Sequence, residues 1–229
     1  MRALRILLIV AVVLGGVLVG IDRLAVAYTE SEASSRVKLS AASSESIEVD
    51  IKGFPFLTQV ADKRFDQVDV TATGVQATAG SKRIRVGELT AVLRDVTVTG
   101  DWAGAKAGSA TGTALISYAD LTAAAADQGA TVAYGGNGKV KVTGGVKILG
   151  RTLTRTVVST VTVVDGGTIR VRADEVPGEG IPGVEEVVRA RTDFERPIGM
   201  IAGMKVEKVE PRPDGLAVMV AGKDIVLAG

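Results

Sequence analysis

A period-two alternation of apolar and polar residues recurs along this chain and restricts it to a mainly β architecture. Ile47, Val49 and Ile51 alternate with charged residues, which is the pattern of a strand with one buried face. The alternation returns in later segments, at Val68 and Val70, Ile84 and Val86, Val96 and Val98, and Val140 and Val142. Because the connections between these segments are mostly local, the pattern predicts an antiparallel sheet with one apolar and one solvated face.

Two turn sequences predict hairpins within this sheet. Asp165-Gly166-Gly167 separates two valine-rich alternating segments. Pro213-Asp214-Gly215 marks a second hairpin near the C-terminus, and a last short strand is predicted to follow it. The Gly- and Ala-rich stretch over 102–114 favours a bend, followed by a strand that begins near Thr111.

Helices are predicted at three places. Residues 28–46 have the composition of a helical stalk or first helix, and Ser117, with Asp120 three residues on, predicts the start of a helix that Gly129 stops. A third segment, 181–194, places three valines on one side of a helix: Val184, Val187 and Val188. We expect helices to cover part of the apolar face. The predicted fold class is therefore α+β, a curved and mainly antiparallel sheet packed on a few helices, in a single domain over 28–229.

The first 27 residues have the composition of an export sequence. Arg2 and Arg5 precede an uncharged apolar run of sixteen residues over 6–21, and Ala25-Val26-Ala27 offers a small-residue cleavage site. A membrane-spanning helix needs roughly 20 apolar residues, whereas the apolar part of a signal peptide has about 7–15. Segment 1–27 is therefore predicted to be a cleaved signal peptide or a retained membrane anchor. Either one places the domain outside the cytoplasm.

The residue types that the chain lacks exclude several kinds of chemistry. Among its 229 residues there is no histidine and no cysteine, which removes Ser-His-Asp, Cys-His and His-based zinc sites. The chain also has no Gly-x-Ser-x-Gly sequence. Carboxylate-only and Ser/Lys chemistry remain possible, but the adjacent carboxylates Asp174-Glu175 and Glu185-Glu186 have the pattern of surface charge. We expect no catalytic residues, no metal site and no cofactor. With 27 basic and 26 acidic residues, the balance gives no electrostatic basis for binding nucleic acid.

Residues 49–75, VDIKGFPFLTQVADKRFDQVDVTATGV, resemble the LmeA-like phospholipid-binding family of actinobacterial cell-envelope proteins. The family motif is a strand ending in Gly-Phe-Pro-Phe-Leu-Thr, a short helical segment, and a phenylalanine that opens an alternating strand. The matching positions here are Gly53, Phe54, Pro55, Phe56, Leu57, Thr58, Phe65, Val68 and Val70. Arg64 stands where the family usually has glycine. Segments 116–125 and 214–227 also resemble the family, and the resemblance covers roughly residues 25–229.

This resemblance implies a non-enzymatic protein that binds phospholipid or an envelope glycolipid. It implies export to the cell envelope or the outer face of the plasma membrane, with the chain anchored or held near the membrane. The implied fold is similar to tubular lipid-binding domains, in which a curved antiparallel sheet wraps a helix beside an apolar groove, here after an N-terminal apolar helix. The alternative is a structural or protein-interaction envelope domain with a filled core.

Three of the four phenylalanines lie at one corner of the predicted sheet. Gly53 permits unusual backbone angles there, and Pro55 holds Phe54 extended. The rings either close the end of the sheet as core residues or form the wall of a lipid groove. We expect a division of roles, with Phe54 mainly structural and Phe56 in the groove beside Leu57 and Val60.

Other residues complete the predicted site. Further lipid contacts are expected from Phe65, Val184, Val187 and Val188. Three cations near the corner are candidates for contact with a headgroup phosphate: Lys52, Lys63 and Arg64. The alternative for each is a solvated surface charge. Trp102 is predicted either to cap the end of the sheet or to lie at a bilayer interface.

Overall fold

A computed structural model of the chain describes residues 21–22, 25–26, 29–30, 44–79, 82–99, 104–148, 151–174, 193–198 and 202–227. The described strands are β1 (Ser46–Lys52), β2 (Arg64–Ala79), β3 (Lys82–Thr99), β4 (Gly104–Ile116), β5 (Ala130–Gly136), β6 (Lys139–Ile148), β7 (Arg151–Val164), β8 (Thr168–Ala173), β9 (Phe194–Pro197), β10 (Met204–Arg212) and β11 (Gly215–Leu227). The described helices are α1 (Phe56–Ala61), α2 (Tyr118–Ala124) and a 3-10 turn (Ala126–Gln128).

These strands form two open antiparallel sheets. A six-stranded sheet has the order β1-β2-β3-β4-β11-β10, and a five-stranded sheet has the order β5-β6-β7-β8-β9. The chain builds four strands of the first sheet, leaves it after β4 to build the whole second sheet, and returns to place β11 beside β4. The mainly antiparallel architecture predicted from the alternation is confirmed.

The predicted hairpin turns are also confirmed. Asp165 and Gly166 have φ angles of 52° and 65° between β7 and β8, and positive φ at both central residues matches the twist of the flanking strands. Near the C-terminus, Arg212 pairs with Gly215 across the turn between β10 and β11.

The six-stranded sheet has the two unlike faces that the alternation predicts. Residues paired directly across an antiparallel sheet share a face, so the register groups side chains into rows. On β1, Ile47, Val49 and Ile51 are buried and pair with Ala72, Val70 and Val68. The alternate positions pair polar residues instead, such as Glu48 with Thr71 and Asp50 with Asp69.

Helix α2 begins as predicted, and described helical residues cover part of the apolar face. Val26 is buried in the core cluster that contains Ile47, and Tyr118 and Leu121 of α2 pack against the cluster shared by the two sheets. Ser117 is the N-cap, and its Oγ accepts a hydrogen bond from the Asp120 N–H at 3.1 Å. However, α2 has no buried residue, and α1 buries only Phe56 and Gln59. Further cover comes from the five-stranded sheet, because Val161 and Val171 of that sheet share a core cluster with strands β10 and β11. Sheet-on-sheet packing therefore contributes to the cover in addition to the described helical residues.

Two strand predictions were wrong. Strand β4 begins at Gly104 rather than near Thr111, since β3 and β11 pair with it on both sides and its buried Ala107 and Ala110 suit close packing. Strand β11 runs unbroken to Leu227 instead of ending before a last short strand. A Cβ at Gly222 would lie 2.4 Å from the Gly203 carbonyl oxygen, so glycine there reflects a close approach rather than a break. Strand β5 was not predicted.

Other predicted elements fall partly or wholly outside the described residues. Residues 29–30 are helical and Ser46 opens β1, but most of the predicted stalk over 28–46 is not described. The predicted helix over 181–194 lies outside except for its last two residues, of which Phe194 opens β9 instead. Trp102 also lies outside. No helix within the described ranges is long and apolar enough to cross a membrane.

Candidate functional site

The Gly-Phe-Pro-Phe corner joins β1 to α1, as the sequence predicts. Gly53 has a φ of 111°, and a Cβ at this position would lie 2.6 Å from Nε2 of Gln59, so the turn requires glycine on both counts. The Phe54-Pro55 peptide is cis. Pro55 occupies the N-cap position with an extended backbone, and Phe56 is the first residue of α1. The motif therefore fixes the directions of two adjacent rings.

The two rings of this corner have different environments. Phe56 is 1% exposed, and its ring centroid lies 6.2 Å from that of Phe65, within the range of favourable aromatic pairs. Phe65 belongs to a buried row that crosses four strands and continues through Val96, Ala107 and Ile225. Phe54, in contrast, is 55% exposed.

The expected division of roles between these rings is therefore reversed. Phe56 and Phe65 close the end of the core, and a ring buried by the protein itself lines no open groove. Phe54 is the exposed ring, with Leu57 beside it at 41% exposure. Val60 is half-buried and packs against the same core cluster as Phe56. Phe54 and Leu57 remain candidates for lipid contact, and that role stays a prediction.

The segment before β1 is docked on the corner through side chains that are distant in sequence. The Leu57 N–H donates to Oδ1 of Asp22 at 2.7 Å, which gives α1 the side-chain cap that Pro55 does not supply. The Ile51 N–H of the edge strand β1 donates to Oε1 of Glu30, also at 2.7 Å. Val26 is buried in the core cluster that contains Phe56. Asp22, Val26 and Glu30 thus complete the corner and cover part of an exposed strand edge.

The same corner holds two buried polar atoms without a hydrogen-bond partner among the described residues. These are Oδ2 of Asp22, on a residue that is 2% exposed, and Nε2 of Gln59. The side-chain oxygen of Gln59, Oε1, accepts from the Asp66 N–H at 2.9 Å. The Gln59 amide therefore ties α1 to the start of β2.

The three predicted headgroup cations differ in their availability. Lys52 forms an ion pair with Asp50, and the hydrogen bond to that carboxylate raises the pKa of Lys52. Arg64 is exposed at the first position of β2, and Lys63 is half-buried with a φ of 51°. Contact of any of them with phosphate remains a prediction, and Lys63 and Arg64 are the better candidates because Lys52 already pairs with Asp50. The predicted contacts Val184, Val187 and Val188 lie outside the described residues.

The strongest candidate surface is the apolar face of the six-stranded sheet. Three successive register rows cross all six strands and contain only apolar residues and glycine. The rows are Ile51, Val68, Leu93, Ala110, Gly222 and Met204; Val49, Val70, Ala91, Gly112, Val220 and Val206; and Ile47, Ala72, Leu89, Ala114, Val218 and Val209. An apolar face of this extent requires a cover, from the protein or from a ligand.

Burial along these rows is not uniform. The β1 residues on one side and Val206 and Val209 of β10 on the other are buried. Nine residues in the middle are only half-buried. One is Gly222, and we call the other eight the central strip: Val68, Val70, Leu89, Ala91, Leu93, Gly112, Ala114 and Val220. The strip lies between two core clusters. Val68, Val70, Leu89 and Leu93 pack against the cluster around Phe56, and Ala114 and Val220 pack against the cluster shared with the five-stranded sheet.

Sequence reasoning missed the central strip as a site. Val68 and Val70 were assigned to one face of a strand, but the alternation alone gives no measure of how completely each row is covered. Small residues on four neighbouring strands were the available indication, because Ala91, Gly112 and Ala114 leave room above the sheet. The Gly- and Ala-rich composition of 102–114 instead favoured a bend.

The opposite face of the same sheet is polar. Thr71, Thr90 and Thr113 form one row of it with Met219. A shallow hollow of about 230 Å³ lies at this part of the sheet and is lined by Thr90, Ala91, Val92, Thr111, Gly112, Thr113, Glu207, Met219 and Val220. The lining combines three threonines and an exposed glutamate with three residues of the central strip: Ala91, Gly112 and Val220. Within the described ranges, no group of three or more acidic residues is placed to hold a metal ion.

Comparison with known proteins supports the resemblance found in the sequence. No curated protein and no solved structure matches the chain, so the likeness to tubular lipid-binding domains remains a prediction. One family model does match, described as LmeA-like phospholipid-binding, and the match extends over residues 20–221. This range includes the corner, the central strip and the segment that carries Asp22. The chain therefore belongs to the LmeA-like phospholipid-binding family.

Proposed function

We propose that this protein is a non-enzymatic lipid-binding protein of the cell envelope that holds acyl chains on the central strip. The observation that carries the proposal is the half-buried state of eight apolar residues in the middle of an otherwise covered sheet face. Membership of a phospholipid-binding family supports a lipid as the ligand. Phospholipid is the first candidate, and an envelope glycolipid shares the acyl chemistry.

The dimensions of the strip suit part of an acyl chain. Its residues span four neighbouring strands, roughly 14 Å at about 4.8 Å per strand, and three alternate positions along β3, roughly 13 Å. Each buried methylene contributes about 0.8 kcal/mol, so ten would contribute roughly 8 kcal/mol before the cost of ordering the chain. Ala91, Gly112 and Ala114 have a small side chain or none, so an acyl chain that lies over them meets no bulky side chain.

Polar contacts are expected at the corner end of the sheet. Arg64 lies four residues before Val68 on β2, which corresponds to about 13 Å along the strand. Lys63 and Arg64 are thus close enough to meet a phosphate while its acyl chains lie on the strip. Export supports this function, since Arg2, Arg5 and the apolar run over 6–21 form a membrane-targeting sequence.

Lack of enzymatic activity is part of the proposal. Hydrolysis of an acyl ester by a serine requires a base, and the chain has no histidine. Ser159, the most buried serine, has 0% exposure and lies in the core of the five-stranded sheet. The purified protein should therefore retain phospholipid without turning it over.

A pair of matched variants tests the strip. Ala91 and Thr90 are adjacent and equally half-buried, but they project from opposite faces of β3. In Ala91→Phe the new ring should displace about three methylenes, roughly 2.4 kcal/mol, and weaken lipid binding roughly 50-fold. Thr90→Phe should bind lipid as the original chain does. Extraction of lipid from each purified protein, followed by mass spectrometry, measures retention, and circular dichroism checks folding.

Two results would reject the proposal. Full lipid retention by a folded Ala91→Phe variant would show that the strip is not the acyl site. Absence of lipid from the original chain, together with no binding of added phospholipid, would favour the structural domain with a filled core.

A further inference from the structure

The exposed large apolar side chains lie at one end of the six-stranded sheet. Among the described residues four such side chains are exposed: Ile21, Phe54, Leu57 and Val226, at 49%, 55%, 41% and 56%. Phe54 and Leu57 flank the corner. Ile21 precedes Asp22, whose carboxylate binds the Leu57 N–H.

Val226 belongs to the same end because of the strand register. It pairs with Lys106, Lys106 pairs with Thr97, and Thr97 pairs with Arg64, the residue that opens β2 after the corner. Three strand spacings of about 4.8 Å place Val226 roughly 14 Å from Arg64. The exposed apolar residues therefore belong to one edge, which we call the corner edge, and not to scattered points on the surface.

We propose that the corner edge rests on a lipid bilayer, with Phe54 and Leu57 inserted at its interface. Ile21 ends the uncharged apolar run over 6–21, so the edge is covalently continuous with the most lipophilic segment of the chain. Asp22 follows at once and is bonded to α1, which leaves no flexible spacer between the run and the corner. A bilayer that receives the run must therefore lie against Phe54 and Leu57.

The chemistry of the edge fits the interfacial region of a bilayer. Aromatic and large aliphatic side chains with polar neighbours are favoured at this depth. Charges around the corner carry no positive excess, because three cations, Lys52, Lys63 and Arg64, are accompanied by five carboxylates: Asp22, Glu30, Asp50, Asp62 and Asp66. Apolar insertion is therefore the basis of docking, and no preference for anionic lipid is expected.

This surface is separate from the central strip, and its test does not require lipid to be held there. The chain has no cysteine, so one introduced cysteine accepts a unique label. Leu57→Cys places an environment-sensitive fluorophore at the corner edge. Glu88→Cys provides the control, because Glu88 is exposed on β3 far from the corner edge. It lies nine residues from Thr97, the β3 residue that pairs with Arg64 at that edge, which is about 30 Å along the strand.

The experiment uses the full-length chain in phosphatidylcholine vesicles that carry a quencher on the lipid. The label at position 57 should be quenched several-fold more strongly than the label at position 88, and Phe54→Cys should behave like Leu57→Cys. Replacing part of the phosphatidylcholine with phosphatidylglycerol should not change this ratio.

Three outcomes would overturn the proposal. Equal and weak quenching at 57 and 88 would show that the edge does not contact the bilayer. Energy transfer between labels at 57 on two chains, without quenching by lipid, would assign the edge to a contact between copies. Quenching that appears only with phosphatidylglycerol would reject apolar insertion as the basis of docking.

Discussion

Replacing Phe56 or Phe54 with alanine separates the two rings of the corner by their contributions to the free energy of unfolding. Phe56 is 1% exposed, and its ring centroid lies 6.2 Å from that of Phe65. Removing the Phe56 ring therefore leaves a cavity. Such a change costs about 3–5 kcal/mol. Phe54 is 55% exposed. Taking a phenylalanine as roughly 200 Å², its buried part is roughly 90 Å², which contributes at most about 2 kcal/mol.

Thermal unfolding followed by circular dichroism measures the difference. In a domain of 150–250 residues, 1 kcal/mol shifts Tm by roughly 2–4 °C. Phe56→Ala should lower Tm by about 6–20 °C, and Phe54→Ala by at most about 4–8 °C. Val226→Ala serves as a control, because Val226 is also exposed and lies on a strand of the same sheet. Equal losses for the two phenylalanines, or a larger loss for Phe54, would refute the assignment of Phe56 to the core.

Two further predictions concern the caps of the helices. Ser117→Ala removes the N-cap of α2 and should lower the free energy of unfolding by about 1 kcal/mol. This loss should appear as a fall in Tm of roughly 2–4 °C. An unchanged Tm would show that the cap contributes nothing. The mature protein should retain residues 21–30, because Asp22 caps α1 and Val26 is buried in the core. The intact mass of the protein purified from its membrane fraction tests this prediction. A mass that corresponds to a chain beginning at Tyr28 would contradict it.

Much of the local structure was predictable from neighbouring residues. The alternation of Ile47, Val49 and Ile51 predicted β1, because the side chains of a strand point to opposite faces in turn. Asp165-Gly166-Gly167 predicted a turn, since these residue types accept positive φ. Ser117 predicted the start of α2, because its side chain accepts a hydrogen bond from a backbone N–H only three residues away.

Predictions that depended on distant contacts were less successful. The stretch around Gly104 has low strand propensity, but strands on both sides supply hydrogen bonds and make it part of β4. Phe54 and Phe56 have the same side chain and nearly the same position in sequence, so composition and spacing did not reveal which ring is buried. The turn at Gly53 and the packing of Phe65 decide it.

The sequence by itself determined the mainly antiparallel architecture, the corner motif, the absence of histidine and cysteine chemistry and the family resemblance. Each of these depends on residue types or on patterns within a few positions. Only the tertiary structure decided that Asp22 caps a helix 35 residues away and that Ala91 and Gly112 lie in a half-buried strip. The reason is physical: a strand presents a row of side chains locally, whereas the cover over that row comes from segments that reach it only when the whole chain has folded.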